Sequence, residues 1–261
     1  MNSFGWDKKI VLPLQCTNKL LHHITMISIK NVTFGYTPSA RVLEDFSLDF
    51  EEGGVYGLLG KNGTGKSTLL YLITGLLRAQ KGTVKVDGVD SQKREAGTLA
   101  ELFIVPEEYD LPPVSLKKYV QAIKPFYPRF SEELLEKCLR EFEMPTDVNL
   151  GSLSMGQKKK VYICIALAAN TRYLLLDEPT NGLDILSKSL FRKVVVTGMA
   201  DDKTIIVSTH QVHDVERLLD HVVIIDRNRV LLDQKLVESD DAPIDIEKLF
   251  IDTLTNKTVE E

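Results

Sequence analysis

Short apolar runs alternate with stretches of helical period along most of this chain. Val55-Tyr56-Gly57-Leu58-Leu59 is an apolar run of strand length, and Leu69, Leu70, Leu72, Ile73 and Leu76 then recur at helical spacing. Ser28 to Phe34 and Val42 to Phe50 read as β-type segments. Gly82 to Gly88 reads as a strand closed by a turn, and Leu102 to Val105 as a buried strand stopped by Pro106. Ser131 is a helix cap, followed by Leu134, Leu135, Cys138, Leu139 and Phe142 at helical spacing up to Met144-Pro145. A second amphipathic helix is expected from Gly156 to Ala169. Beyond it, strands at Tyr173 to Asp177, Thr204 to Ser208 and Val222 to Asp226 alternate with helices at Ile185 to Ala200 and Val212 to Leu219. That alternation predicts an α/β fold with a mainly parallel sheet, an antiparallel β subdomain at the N-terminal side and an inserted helical subdomain at about 106–153.

The main unit is expected over residues 26–235, with a C-terminal helix and tail over 236–261. Residues 1–25 show neither strand alternation nor helical period. Lys8 and Lys9 before Ile10 to Leu14 and Cys16 faintly suggest a lipoprotein signal, but Pro13 interrupts a short run and Gln15 is not a small residue. A disordered leader is expected there, or a start assigned too early with Met26 as the first residue.

Composition narrows the classes. In 261 residues, 43% are hydrophobic and 26% charged, as in an ordinary globular protein. A net charge of −5 argues against a general nucleic-acid binder, so no nucleic-acid partner is expected. Cys16, Cys138 and Cys164 lie far apart and read as free thiols of a reducing compartment. No run approaches the ~18 apolar residues of a membrane helix, so any action at a membrane needs another chain to span it.

The chemistry begins where the Val55 run ends. Gly60-Lys61-Asn62-Gly63-Thr64-Gly65-Lys66-Ser67-Thr68 is a strand–loop–helix P-loop pattern that cradles nucleotide phosphates. Glycines let backbone N–H groups approach phosphate oxygens, and the helix N-terminus adds partial positive charge. Lys66 is expected on the β/γ-phosphates and Ser67 on Mg²⁺. Downstream, Tyr173-Leu-Leu-Leu-Asp177-Glu178 is a buried strand ending in two carboxylates, a costly arrangement that points to a cation or to catalysis. Asp177 is expected to hold Mg²⁺ and Glu178 to poise the attacking water.

Between these motifs stands Leu153-Ser154-Met155-Gly156-Gln157. With it the chain resembles the ATP-binding-cassette (ABC) ATPases, whose signature this matches except that Met155 replaces the commonest glycine. Asn181-Gly-Leu-Asp184 resembles the family's D-loop, Ser208-Thr-His210 its switch histidine, and Tyr36 the aromatic that stacks on adenine. The resemblance covers Ile27 to about Val230 with the motifs in the family's order. It implies an ATPase using ATP and Mg²⁺. Glu178, His210 and Lys66 would be catalytic, and Tyr36 and residues 60–68 would bind ATP. Ser154, Met155, Gly156, Gln157 and Asp184 would act in trans on the ATP of a second cassette, homodimeric or heterodimeric. The family commonly has a glutamine after the Leu102 strand; here Pro106 precedes Glu107 and Glu108, so Glu107 becomes a third candidate Mg²⁺ ligand. Pro106-Glu107 and the Phe126-Tyr-Pro-Arg-Phe130 stretch resemble the ABC-2-type exporter branch.

The resemblance further implies a nucleotide-binding subunit driving a separate integral membrane permease. It would be cytoplasmic, at the inner face of the cell membrane, with a permease groove around Glu107 to Phe130. The competing class is a soluble ABC ATPase of the iron–sulfur cluster assembly type. A non-hydrolysing regulatory cassette is disfavoured by the presence of Lys66, Asp177, Glu178 and His210. Lys158, Lys159 and Lys160 are expected to form a solvated helix face, and His22, His23, His213 and His221 to be surface or internally satisfied residues.

Overall fold

A computed structural model describes residues 25–37, 39–236 and 245–256. The expected leader, with Trp6, Cys16, His22 and His23, lies outside the described residues apart from Thr25.

The described chain opens with a hairpin of β1 (Thr25–Thr37) and β2 (Ala40–Glu51), followed by β3 (Gly54–Leu59) and helix α1 (Lys66–Ile73). Next come β4 (Lys81–Val86), β5 (Val89–Asp90), α2 (Ala96–Ala100) and β6 (Leu102–Val105). Three helices follow: α3 (Leu116–Ile123), α4 (Glu132–Glu141) and α5 (Met155–Ala168). The remainder is β7 (Tyr173–Asp177), α6 (Ile185–Thr197), β8 (Thr204–Thr209), α7 (Val212–Val215), β9 (His221–Asp226), β10 (Arg229–Lys235) and α8 (Ile246–Asn256).

Two sheets result. An antiparallel one has the order β2-β1-β4-β5, and a larger one the order β10-β9-β3-β8-β7-β6. The larger sheet is parallel except for the β9–β10 hairpin at its edge. Its central strands read as unbroken apolar runs because both faces are covered. Leu174 and Leu176 of β7, Ile205 and Val207 of β8, and Val222 and Ile224 of β9 enter the core shared with the helices. Their neighbours Tyr173, Leu175, Ile206, Val223 and Ile225 face the other way, into a second core with α1 and the antiparallel sheet. Helix α1 is thereby wedged between the two sheets, which fixes the loop that precedes it.

Local chemistry trims several expected helices. Helix α1 stops at Ile73 because Thr74 Oγ1 donates to the carbonyls of Leu70 and Tyr71 and Gly75 turns left-handed at φ 67°. Leu76 therefore lies outside it and is exposed. Helix α6 ends at Thr197, where the Gly198 N–H closes on the carbonyls of Val194 and Val195, short of Ala200. The segment from Val212 is α-helical only to Val215 and continues as a 3-10 turn, Glu216–Leu218. Helix α5 is not amphipathic: from Ile163 to Ala168 every residue is buried. It is enclosed by the parallel sheet on one side and by α4 and α6 on others.

Candidate active site

The site assembles at the C-terminal ends of the parallel strands, where open α/β sheets bind ligands. β3 delivers the glycine-rich loop, β7 the two carboxylates and β8 the histidine. Gly63 at φ 81° and Gly65 at φ 98° occupy backbone conformations that a side chain would strain, and Gly65 is the N-cap of α1. Thr64 Oγ1 donates to the Lys61 carbonyl at 2.9 Å, bracing the turn. Lys66 Nζ folds back to donate to the carbonyls of Gly60 at 2.8 Å and Lys61 at 3.1 Å. It also sits 3.6 Å from Glu178 Oε1, both side chains being buried. Burial lowers the Lys66 pKa, while the charges of Glu178 and Asp177 pull it back up.

Asp177 is fully buried. Ser208 Oγ donates to its Oδ1, while Oδ2, equally enclosed, has no hydrogen bond. Burial raises the Asp177 pKa; the Ser208 and Ser67 hydroxyls lower it, and Glu107 and Glu178 add to the rise. An enclosed carboxylate oxygen without a donor, beside a serine hydroxyl and a further carboxylate, is an oxygen-rich set that fits a hard divalent cation.

Glu178 closes the turn after β7 at φ 44°, a left-handed conformation that costs a non-glycine residue about 1 kcal/mol. The surroundings hold it there. Its N–H donates to the Ser208 carbonyl at 2.9 Å, Thr209 Oγ1 donates to Oε2 at 2.9 Å, and His210 Nδ1 lies 2.8 Å from Oε1.

A cavity of about 260 Å³ is lined by Tyr36, Asn62, Lys66, Ser67, Glu107 and Glu178, among others. Tyr36 stands at its mouth with its ring exposed, braced edge-on by Phe34 and through its hydroxyl, 3.2 Å from Thr68 Oγ1. Glu107 accepts from Asn181 Nδ2 at 2.9 Å, and Asn181 Oδ1 in turn accepts from Gln211 Nε2 at 2.8 Å. A chain of hydrogen bonds thus joins the Glu107 loop, the D-loop-like turn and the segment after His210.

The trans candidates stand apart from this cavity. Ser154 caps α5: its Oγ accepts from the Gln157 N–H at 3.3 Å, and Gln157 Oε1 accepts from the Ser154 N–H at 3.0 Å. Gln157 is thus occupied by its own helix end. Met155 is 76% exposed, which leaves this end open to a partner. Asp184 caps α6, accepting from the N–H and hydroxyl of Ser187, both at 2.8 Å, which holds its carboxyl below the usual range. A Cβ on Gly156 would stand 3.1 Å from the Gly182 carbonyl, so the signature-like helix end packs closely on the D-loop-like turn.

The lysine run departs from expectation. Lys158 is partly covered near Asp110, and Lys160 lies over the Phe142 ring. Lys159 is buried and donates from Nζ to the Glu178 carbonyl at 3.2 Å. A helix turned inward on this side has no solvated face for it. His221 is satisfied, stacked on Tyr56 and 2.5 Å from Asp233 Oδ1.

A glycine-rich loop folded around a lysine, two strand-end carboxylates and a histidine on one carboxylate together define a P-loop nucleotide hydrolase. The sequence profile of the ABC transporter family matches residues 43–181. The chain is 30% identical over 222 residues to the ABC transporter ATP-binding protein YtrB of Bacillus subtilis, covering 85% of this chain and 76% of that protein. It is 32% identical over 219 residues to the high-affinity zinc uptake system ATP-binding protein ZnuC of the same organism, covering 78% and 92%. A solved ATP-binding subunit of an ABC transporter superposes with a TM-score of 0.75 at 26% identity, covering 88% of this chain and all of that one. The protein belongs to the ABC transporter family, as an ATP-binding subunit whose ATPase activity is coupled to transport.

Proposed function

We propose that residues 26–235 form a working cassette that pairs head-to-tail with a second cassette around two Mg-ATP and drives a separate membrane permease, in the direction of export. The carrying observation is that Lys66, Ser67, Glu107 and Glu178 line one cavity, with the Asp177 carboxylate beside the Ser67 hydroxyl and His210 against Glu178, while Met155 at the start of α5 is exposed.

In this reading the chain's own residues divide the work. Lys66 leaves the Gly60 and Lys61 carbonyls to meet the phosphates. Asp177, Ser67 and Glu107 would hold Mg²⁺, whose contribution is to neutralise phosphate charge. Glu178, pinned by Thr209 and His210, orients the attacking water, and Tyr36 stacks on the base. Residues 61–65 and Thr68 shape the phosphate cradle. The exposed N-terminus of α5 supplies N–H groups to the nucleotide of the partner cassette, as helix N-termini do for anions. Exposed Met155, Ile185 and Leu186 give the partner apolar surface to cover.

The permease reading draws support from a second cavity, of about 520 Å³, lined by Leu76, Leu99, Phe103, Phe126, Tyr127 and Tyr162. Phe126, 71% exposed, projects at its rim, within the Glu107 to Phe130 stretch. Among the described residues no helix is long and apolar enough to cross a membrane. In this reading a separate permease spans it, and the cassette sits at the inner face of the cell membrane. Export is assigned on the Pro106-Glu107 pair and the Phe126 to Phe130 stretch.

The test is Glu178→Gln in Mg-ATP followed by light scattering, with mass spectrometry of complexes extracted from native membranes. A trapped dimer and a co-purifying polytopic protein are expected. A monomer hydrolysing ATP at full rate, or a stable complex with only non-membrane partners, overturns the reading. Transport in inside-out vesicles decides direction.

A further inference from the structure

Lys159 is the charged side chain in this region that the proposed cycle leaves without a task. It sits on α5 a little more than one turn beyond Ser154, 5% exposed. The carboxylates of Glu107, Asp177 and Glu178 all favour its charge against the cost of burial. Its hydrogen bond goes to none of them, but to the main-chain carbonyl of Glu178, at 3.2 Å.

That carbonyl belongs to a left-handed residue whose N–H is already fixed to the Ser208 carbonyl. The carbonyl accepts from Lys159 Nζ and, at the same 3.2 Å, from the Asn181 N–H of the following turn, so Lys159 is the donor of the two that comes from α5. The surroundings do not hold it by packing alone. Lys159 lines a cavity of about 430 Å³ with Glu107, Met155, Asn181 and Gly182.

We propose that Lys159 is a positioning residue for hydrolysis, tying the helix that begins at Ser154 to the main chain of Glu178. This rests on the reading of Glu178 as the residue that orients water and of Ser154 as a contact to the partner's nucleotide. A nucleotide engaging the N-terminus of α5 from the partner cassette moves or steadies the helix, and Lys159 transmits that to the carboxylate of its own subunit. Lys159 is then a polar link, beside the close packing of Gly156 on Gly182, between the helix end that meets the opposite site and the carboxylate of its own.

The experiment compares wild type, Lys159→Met, Lys159→Arg and Glu178→Gln in the full chain, by steady-state ATPase, binding of a fluorescent ATP analogue and thermal melting. Lys159→Met keeps length and apolar stem but removes the donor. A kcat lowered about tenfold is expected, with nucleotide affinity and Tm unchanged, because the interaction acts on the attacking water and not on bound substrate. Lys159→Arg, which keeps a charged donor, is expected to recover most of the turnover. On the Glu178→Gln background, Lys159→Met should lower the single-turnover rate no further, since two residues acting through one step are not additive. Wild-type turnover in Lys159→Met with Glu178→Gln inactive overturns the assignment alone, as does a parallel fall in kcat, affinity and Tm. Normal turnover in Glu178→Gln instead overturns the reading beneath it. Should Lys159→Met fail to fold, Lys159→Gln decides by the same comparison of kcat with affinity.

Discussion

His210 Nδ1 stands 2.8 Å from Glu178 Oε1, while Thr209 Oγ1 donates to Oε2 at 2.9 Å, so the last residue of β8 and the one after it grip both oxygens of the carboxylate that follows β7. β7 and β8 are paired in parallel register with Asp177 opposite Ser208, which sets the next residues side by side. The carboxylate can therefore present one lone-pair direction to a water without searching rotamers. Glu178→Gln is expected to lower kcat at least ~100-fold while leaving ATP affinity within a few-fold. His210→Ala, which frees one oxygen, is expected to lower kcat about 10- to 100-fold with a similar affinity. Phosphate release and equilibrium binding measured on both variants check the split; equal losses in kcat and affinity would assign the pair to binding.

Tyr36 is held in place yet mostly exposed, as a stacking platform must be. Tyr36→Ala is expected to weaken ATP binding by roughly 10-fold, in line with about 1–3 kcal/mol for a base–aromatic contact. Tyr36→Phe loses only the hydroxyl contact to Thr68 and should bind within about threefold of wild type. Titration with a fluorescent ATP analogue distinguishes them. If alanine binds as tightly as wild type, adenine rests elsewhere.

Much of this arrangement was legible from residue order. The P-loop spacing and the apolar run ending in Asp177-Glu178 are local patterns, and Lys66, Ser67 and Glu178 from them line one cavity. The residues that bind these motifs to one another were not legible. Lys159 reads as a solvated charge because burial of a helix face depends on what α4, α6 and the sheet cover, and no local period carries that information. Asn181, which links Glu107 to Gln211, joins segments distant in sequence and so leaves no spacing signal. The β9–β10 hairpin carries little signal because half-exposed Arg229 to Lys235 has weak alternation, although Asp226-Arg-Asn-Arg is a usable turn cue. Asp184 and Gln157 illustrate a different confusion: each is a motif residue by position and a helix-capping residue by contact.

Asp177 carries the cost of a cation site into the cation-free protein. Burial raises its pKa, so its ionised form is less favoured in the fold than in the unfolded chain, and stability falls as pH rises through the folded value. Replacing the charge with an amide removes that cost. Asp177→Asn is expected to melt about 2–4 °C higher than wild type at pH 7.5 without magnesium, the shift that about 1 kcal/mol produces in a chain of this size. It should also lose most of the stabilisation that Mg-ATP gives wild type. Thermal melting with and without Mg-ATP measures both. An unchanged Mg-ATP shift would remove Asp177 from the metal set.

Lys203 provides a pH test independent of nucleotide. It is 2% exposed, donates from Nζ to the Gly198 carbonyl at 2.5 Å, and closes the loop that leads into β8. Burial, followed by the nearby Arg129 charge, pushes its pKa from an ordinary 10.5 down to about 8. Between those two values the unfolded chain binds more protons than the folded one, so stability rises with pH across about 8 to 10.5. Below about pH 8 the folded protein bears the full cost of a buried ammonium. Wild type is therefore expected to gain several degrees in Tm, relative to Lys203→Met, between pH 7 and pH 9.5, a range that stops short of the ordinary tyrosine titration near pH 10. Lys203→Met loses the bond to Gly198 at every pH, which offsets its whole curve but not its slope. The difference between the two melting curves as a function of pH isolates this one ammonium. A flat difference would mean that Lys203 keeps its ordinary proton affinity, with water or a carboxylate reaching the loop before β8.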